Sequence, residues 1–262
     1  MPSAVKLRFI AALLLCTAAR GADLPADAGR PAALSIAAAA NFTPVLAELD
    51  RAFSRTEPGV AVTTATGASG SLFAQIRNGA PFDVFLSADL DFPRRLAQAG
   101  DADGASITRF ATGRLVLWTT RPGLALDSIA GAVQDPRVRK LAIANPLTAP
   151  YGRAARQALD RLGLAAAAAP KLVTGENISQ TAAFVSTGNA DAGFVALSLV
   201  LAPKLKDRGH WIEVPAALYD PLDHAAVITN HGAANPEARR YLAFLLTPAA
   251  RVILQRYGYG LP

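Results

Sequence analysis

The sequence contains very little cysteine, with one residue, Cys16, among 262. Cys16 lies in an apolar stretch near the N-terminus, so the rest of the chain can form neither a disulfide bond nor a cysteine metal site. Histidine is also scarce: His210, His224 and His231 all lie late in the chain. No spacing links any of them to a candidate nucleophile, which disfavours histidine-dependent hydrolysis.

Several binding motifs are absent as well. The sequence has neither a G-x-G-x-x-G segment after a strand nor a G-x-x-x-x-G-K-[ST] loop, so nucleotide binding has no support. Charged residues make up only 18% and hydrophobic residues 52%, which excludes a disordered chain. The net charge is +6, and no dense basic cluster is present. We therefore expect no nucleic-acid partner.

Long hydrophobic runs are missing too. The apolar run at residues 9–19 is too short to span a bilayer, and it follows the basic residues Lys6 and Arg8. This pattern predicts a signal peptide at residues 1–22, cleaved between about Ala19 and Ala22. Its removal lowers the net charge from +6 to +3. We expect an exported, periplasmic protein; a short uncleaved anchor is the alternative.

From residue 33 onward, apolar segments alternate with amphipathic ones. Strands are predicted at 33–38, 60–66, 84–88, 115–119, 141–144, 171–174, 192–196 and 225–228. Helices are predicted at 44–55, 71–77, 91–99, 153–162 and 179–187, with two more that start at Pro236 and Pro248. This alternation indicates an α/β fold of mainly parallel sheets flanked by helices.

The predicted elements fall into two groups. After a loose lead-in at residues 23–32, we assign residues 33–110 to a first lobe, 111–224 to a second lobe, and 225–262 to the first lobe again. Hinges are expected where the chain crosses between lobes, near residues 109–114 and 224–230.

Four predicted strands end in turns that lead into helices. The turns are 39–42 (AANF), 67–71 (GASGS), 150–152 (PYG) and 175–178 (GENI). Each would direct free backbone N–H groups, and the positive end of a helix, toward the carboxyl edge of a sheet. Two such turns from each lobe would enclose a small anion. Ordinary helix capping is the alternative explanation of each turn.

Other chemistry has weaker support. The turn at 67–71 is close to the hydrolase motif G-x-S-x-G, but Ser71 occupies the last position. A secreted serine hydrolase using Ser69 remains a remote alternative. Asp220, Asp223 and His224 could in principle hold a metal ion, but a turn rich in Asp and Pro is the simpler interpretation. We predict no catalytic residue and no metal site.

These turns and their surroundings resemble the periplasmic molybdate-binding proteins, the soluble receptors of molybdate ABC importers. The matching segments are 37–42 (AAAANF), 67–76 (GASGSLFAQI), 79–89 (GAPFDVFLSAD), 145–146 (NP), 150–152 (PYG), 189–195 (NADAGFV) and 256–259 (RYGY). They span residues 33–262 in order, and 79–89 is the most specific.

The resemblance implies a two-lobe Venus-flytrap, the type II periplasmic substrate-binding fold. It also implies a receptor, not an enzyme, that binds molybdate, and tungstate too, without a cofactor. Such a receptor works as a monomer and delivers the anion to an inner-membrane ABC permease. A receptor for another tetrahedral oxyanion, such as sulfate or phosphate, is the alternative.

The resemblance further implies the ligand-binding residues Asn41, Ser69, Tyr151 and Ile178. Asn41 and Ser69 would contribute side chain and N–H, and Tyr151 and Ile178 a backbone N–H. Lesser contributors are Ala40 and Ala196, which stand where some members of the family carry Thr and Tyr. The Tyr151 hydroxyl is a candidate replacement for the phenol missing at residue 196. No Lys or Arg is expected to contact the anion.

Overall fold

A computed structural model of the chain describes residues 33–262. The predicted signal peptide (1–22) and lead-in (23–32) lie outside the described residues. Within the described part, no helix has the length and apolar character needed to cross a membrane.

Ten strands are present in residues 33–262. They are β1 (Ala33–Ala39), β2 (Ala61–Gly67), β3 (Val84–Ser87), β4 (Thr108–Gly113), β5 (Leu115–Thr119), β6 (Leu141–Ala144), β7 (Leu172–Gly175), β8 (Ala192–Ala196), β9 (His210–Glu213) and β10 (Leu222–Ile228). They form two five-stranded sheets, ordered β2-β1-β3-β10-β4 and β7-β6-β8-β5-β9. We call the first sheet with its helices the first lobe and the second sheet with its helices the second lobe.

Ten α-helices accompany the strands in the same described residues. They are α1 (Thr43–Thr56), α2 (Ser69–Arg77), α3 (Asp91–Gln98), α4 (Ile129–Gln134), α5 (Pro150–Arg161), α6 (Ala165–Ala168), α7 (Ile178–Ser186), α8 (Leu197–Val200), α9 (Pro236–Leu245) and α10 (Pro248–Arg256). Asn235 caps α9 by accepting from the Glu237 N–H, and Thr247 caps α10 by accepting from the Ala250 N–H. Both predicted helix starts are therefore confirmed.

Parallel pairing is confined to three strands in each sheet. The strands β2, β1 and β3 run parallel, as do β7, β6 and β8. By contrast, β10 pairs antiparallel with β3 and β4, and β5 pairs antiparallel with β8 and β9. The sheets are thus mixed, because β10 in the first sheet and β5 in the second run against the other four strands.

The chain crosses between the sheets at two places. It leaves the first sheet between Gly113 and Leu115, and it returns between Glu213 and Leu222. The boundaries at 110/111 and 224/225 that we drew from the sequence fall inside β4 and β10, not between the sheets. Residues 224–228, expected near a hinge, belong to β10 because this strand pairs with β3 over Ala225–Ile228.

The registers of the parallel pairs position the strand ends. Ala39 at the end of β1 lies opposite Gly67 at the end of β2, and Ala144 of β6 lies opposite Gly175 of β7. In each lobe, the turns that follow two neighbouring strands therefore begin at the same edge of the sheet.

Candidate functional site

The four predicted turns meet at one cavity between the lobes. Its lining residues are Ala39, Ala40, Asn41, Gly67, Ala68, Ser69, Ala88, Ala149, Pro150, Tyr151 and Ile178. The structure thus brings Ala40, Asn41, Ser69, Tyr151 and Ile178 together. Ala196 ends β8, is buried, and is not part of this lining.

The cavity is small and uncharged. The centre of a water-sized sphere can move through only about 10 Å³ of it, far less than the roughly 300–1,000 Å³ of pockets for drug-sized ligands. None of the described residues that line it carries a formal charge. The site therefore suits a group of a few atoms that is recognised by neutral donors.

Three helices begin at the cavity wall. Ser69 and Ile178 are the first residues of α2 and α7, and Tyr151 is the second residue of α5. A first-turn N–H has no acceptor within its own helix, and no other acceptor for these three N–H groups occurs among the described residues. In α7 the Asn177 side chain occupies the next two N–H groups, those of Ser179 and Gln180. The N–H of Ile178 is therefore left for a ligand.

Ser69 also offers its hydroxyl. The side chain is 1% exposed, and its oxygen accepts from the Ala88 N–H at 3.1 Å. The hydroxyl proton has no acceptor among the described residues, so it can be donated into the cavity.

Asn41 lies in the short 3-10 turn Ala40–Phe42 that follows β1. It is fully buried, and its Nδ2 contacts His224 Nε2 at 2.8 Å and Tyr259 Oη at 2.9 Å. Its carbonyl oxygen accepts from the hydroxyls of Tyr259 and Ser198, both at 2.9 Å. The Oδ1 atom of Asn41 is buried without a hydrogen-bond partner. The hydrogen bonds to His224, Tyr259 and Ser198 therefore fix the position of this turn.

His224, Tyr259 and Ser198 are the supporting residues that the sequence did not reveal as such. They lie more than 150 positions from Asn41 along the chain, and only the RYGY segment hinted at Tyr259. Burial lowers the pKa of His224 to about 4, so its ring is neutral near pH 7.

The Tyr151 phenol lies against the end of β4. A Cβ added to Gly113, at the end of β4, would lie 2.2 Å from the Tyr151 hydroxyl and 2.4 Å from His224 Cε1. Neither Gly113 nor His224 lines the cavity. Burial raises the pKa of this phenol well above its ordinary value, so it stays protonated. This placement favours a role for the Tyr151 backbone N–H over its hydroxyl.

Four contacts join the lobes around the cavity. The Gly70 N–H donates to Thr148 O at 2.8 Å, the Ser179 hydroxyl donates to Ala40 O at 2.8 Å, and Ser198 bonds Asn41 O as described. Arg153 of α5 also forms an ion pair with the buried Asp89 at 2.5 Å. The structure is therefore that of a closed cleft.

The residues that were considered for a serine hydrolase or a metal site do not lie together. Ser69 makes no hydrogen bond to any histidine of the described chain, since His224 bonds Asn41 and Leu222, and His231 bonds Asp83. Asp220 pairs with Arg161, whereas Asp223 pairs with Arg109. No group of three His, Cys, Asp or Glu residues within 33–262 is arranged to hold a metal ion.

Comparisons with known proteins show the family of the chain. Residues 34–260 match the sequence family described as bacterial extracellular solute-binding protein. The chain is 42% identical over 243 residues to the molybdate-binding protein ModA of Azotobacter vinelandii, covering 93% of this chain and 96% of that protein. It is 44% identical over 239 residues to ModA of Rhodobacter capsulatus, covering 91% of each.

Solved structures extend the comparison. The periplasmic molybdate-binding protein of Azotobacter vinelandii superposes with a TM-score of 0.82 at 37% identity, covering 87% of this chain and 99% of that one. The sulfate-binding protein SubI of Mycobacterium tuberculosis H37Rv shares the fold, with a TM-score of 0.69 at 16% identity over 87% of this chain and 86% of that one. The chain therefore belongs to the bacterial extracellular solute-binding proteins and, within them, to the family of the molybdate-binding proteins.

Proposed function

We propose that this chain is the periplasmic receptor of a molybdate ABC importer. It takes molybdate, and tungstate, into the cavity between its lobes as a monomer and delivers the anion to an inner-membrane permease. It acts by binding, without catalysis and without a cofactor.

The observation that carries the proposal is the set of unpaired donors around an uncharged cavity. The N–H groups of Ser69, Tyr151 and Ile178 have no acceptor among the described residues, and these three residues line the cavity from both lobes together with Asn41. A hydrogen bond to a charged group contributes about 1.5–3 kcal/mol, and each helix start adds about half a positive charge. Fixed neutral donors can therefore hold a tetrahedral dianion without Lys or Arg.

The contacts across the cleft support a closure mechanism. Gly70, Ser179, Ser198 and Arg153 each bond the opposite lobe around the cavity. An anion that bonds donors of both lobes stabilises the closed state over the open one, and its binding shifts the population accordingly. The two chain crossings, at 113–115 and 213–222, are the places where such a motion would bend.

Calorimetric titration with molybdate, tungstate, sulfate and phosphate tests the proposal. We expect molybdate and tungstate to bind with similar affinity, and sulfate and phosphate at least 100-fold more weakly. Tighter binding of sulfate or phosphate would show that the chain is a receptor for another oxyanion.

A hydrolase using Ser69 would behave differently. It would turn over chromogenic esters, and Ser69→Ala would abolish that turnover. We expect no turnover above that of buffer by the unmodified chain.

A further inference from the structure

A buried hydrogen-bonded cluster of Asn41, His224 and Tyr259 lies directly behind the anion cavity. All three side chains are less than 5% exposed. The inference drawn from this cluster rests on the proposed function, since it requires that the cavity receive a tetrahedral dianion.

The hydrogen bonds of the cluster fix the proton on the His224 ring. Nδ1 lies 2.7 Å from the carbonyl oxygen of Leu222, which can only accept, so Nδ1 carries the proton. Nε2 of the neutral ring is then an acceptor, and Asn41 Nδ2 donates to it at 2.8 Å. The second Nδ2 proton goes to Tyr259 Oη at 2.9 Å. A neutral His224 therefore holds both amide protons of Asn41 on the side away from the ligand.

The opposite side of the carboxamide carries the wrong chemistry for an anion. Asn41 lines the cavity, and its Oδ1 is buried without a partner. The two heteroatoms of a planar amide point apart, so Oδ1 lies on the side of the carboxamide away from His224 and Tyr259, where a ligand in the cavity would meet it. An acceptor facing a dianion is repelled, and its own hydrogen-bonding capacity remains unused.

We propose that capture of the dianion is coupled to uptake of one proton by His224, which turns the Asn41 carboxamide so that Nδ2 donates to the ligand. The proton passes from solvent to Nε2, and Nε2–H then donates to Oδ1. The Tyr259 hydroxyl can rotate its proton from Asn41 O to Oδ1. Asn41 O keeps the hydrogen bond from Ser198. Every polar group of the cluster then has a partner.

Electrostatics favour this coupling in the presence of a dianion. The titratable groups that face His224 are the phenols of Tyr151 from α5 and Tyr259 from the C-terminal segment, and burial raises the pKa of both, so they stay neutral. The uncharged residues Phe42 and Gly113 also lie against the ring. The neighbouring Asp223 is already paired with Arg109. No charged group of residues 33–262 shifts the pKa of this ring, so the charge of a bound dianion raises it.

Proton uptake is measured by titrating molybdate calorimetrically in buffers of different protonation enthalpy, between pH 6 and pH 8. Burial lowers the pKa of His224 to about 4. We expect uptake approaching one proton per anion at pH 6 and an affinity that falls up to tenfold per pH unit, until the pH exceeds the pKa of the complex. Nitrogen NMR of the His224 ring should show both nitrogens protonated in the complex.

His224→Gln supplies the matched variant, since its amide can donate to Oδ1 without taking up a proton. We expect it to bind molybdate with no proton uptake and with little pH dependence. The control is His231→Gln, because His231 is half exposed and pairs with Asp83 outside the cavity; it should retain the uptake.

The outcomes separate this inference from the proposed function. Tight molybdate binding without proton uptake, with one unprotonated nitrogen on the His224 ring, overturns the inference and leaves the proposed function intact. Absence of molybdate binding at every pH overturns the proposed function itself. The measurements on the unmodified chain decide the matter even if His224→Gln does not fold.

Discussion

The backbone N–H of Gly70 donates across the cleft to the carbonyl oxygen of Thr148 at 2.8 Å. Gly70 is the second residue of α2 in the first lobe, and Thr148 precedes α5 in the second. A Cβ at Gly70 would lie 3.0 Å from both Cα and O of Thr148, and 2.9 Å from Phe92 Cζ. The lobes can approach this closely because residue 70 is a glycine and has no side chain.

We therefore expect Gly70→Ala to impair closure. Overpacking of this kind costs about 1–3 kcal/mol, which corresponds to a rise of roughly 5- to 150-fold in the dissociation constant for molybdate. The contact with Phe92 lies within the first lobe and is relieved by a small shift of the ring end, whereas the contacts with the Thr148 backbone arise only when the lobes meet. The melting temperature of the ligand-free protein should therefore fall less than the affinity. Ser71→Ala, at an exposed position of the same helix, is the control. Equal affinities for both variants would contradict the prediction.

Ser69→Ala should affect both binding and stability. It removes a hydroxyl donor but keeps the backbone N–H, so the affinity for molybdate should fall by about 1.4–2.8 kcal/mol, roughly ten- to a hundredfold. It also removes the acceptor of the Ala88 N–H, so the free energy of unfolding should decrease by about 1–3 kcal/mol. Calorimetry and urea unfolding measure the two effects. An unchanged dissociation constant would show that this turn does not reach the ligand.

The local features of this fold could be predicted because their signals lie close together in the sequence. Asn235 with Pro236, and Thr247 with Pro248, mark helix starts by capping chemistry that involves adjacent residues only. The four turns at the cavity could be predicted for the same reason, because each follows a predicted strand along the chain. Two helices begin two or three residues earlier than predicted, α2 at Ser69 and α5 at Pro150, since their first turns were assigned to the loops.

The strands and contacts that were not predicted from the sequence depend on partners that are distant along the chain. The strands β4 and β9 carry no clear alternation of apolar and polar residues, and they form by pairing with β10 and β5. The support of Asn41 has the same origin, since Ser198, His224 and Tyr259 reach it from far along the chain. Short-range periodicity contains no information on such contacts.

Tyr151→Phe tests whether the phenol reaches the anion. Its hydroxyl lies beside Gly113 at the end of β4 and has no hydrogen-bond partner among the described residues. We expect the affinity for molybdate to stay within about twofold, since only the backbone N–H of residue 151 would serve the ligand.

Tyr259→Phe is the comparison, because its hydroxyl bonds both the side chain and the carbonyl oxygen of Asn41. It should weaken binding by about 1–3 kcal/mol. A tenfold loss for Tyr151→Phe would instead show that its phenol replaces the donor missing at Ala196. Ala196→Tyr is no useful rescue, because residue 196 is fully buried.

Arg153→Ala should speed the release of the anion. The guanidinium pairs across the cleft with Asp89, which keeps its hydrogen bonds from the Ser87 hydroxyl and the Phe92 N–H when Arg153 is removed. Because Arg153 is partly exposed, we expect a loss of about 0.5–1.5 kcal/mol, seen as a roughly two- to tenfold faster dissociation in stopped-flow measurements. Arg137→Ala removes an ion pair with Asp135 inside one lobe and should leave the dissociation rate unchanged.

The carboxyl group of Asp50 should make stability depend on pH. Burial raises its pKa from 3.8 to about 6, although a hydrogen bond from the Tyr241 hydroxyl at 3.3 Å partly opposes this. The folded protein thus binds the proton more tightly than the unfolded chain does. Its contribution to stability is fully present below about pH 4 and is lost as the pH rises through 6.

Asp50→Asn keeps an oxygen that accepts from Tyr241 and removes the buried charge. We expect the variant to be about 1–2 kcal/mol more stable than the unmodified chain at pH 7.5, and equally stable at pH 4, in urea unfolding. Asp160→Asn makes the same change of charge at an exposed position of α5 and should show no such difference. A stability gain of the same size at both pH values would mean that Asp50 is already charged throughout, and that the gain has another cause.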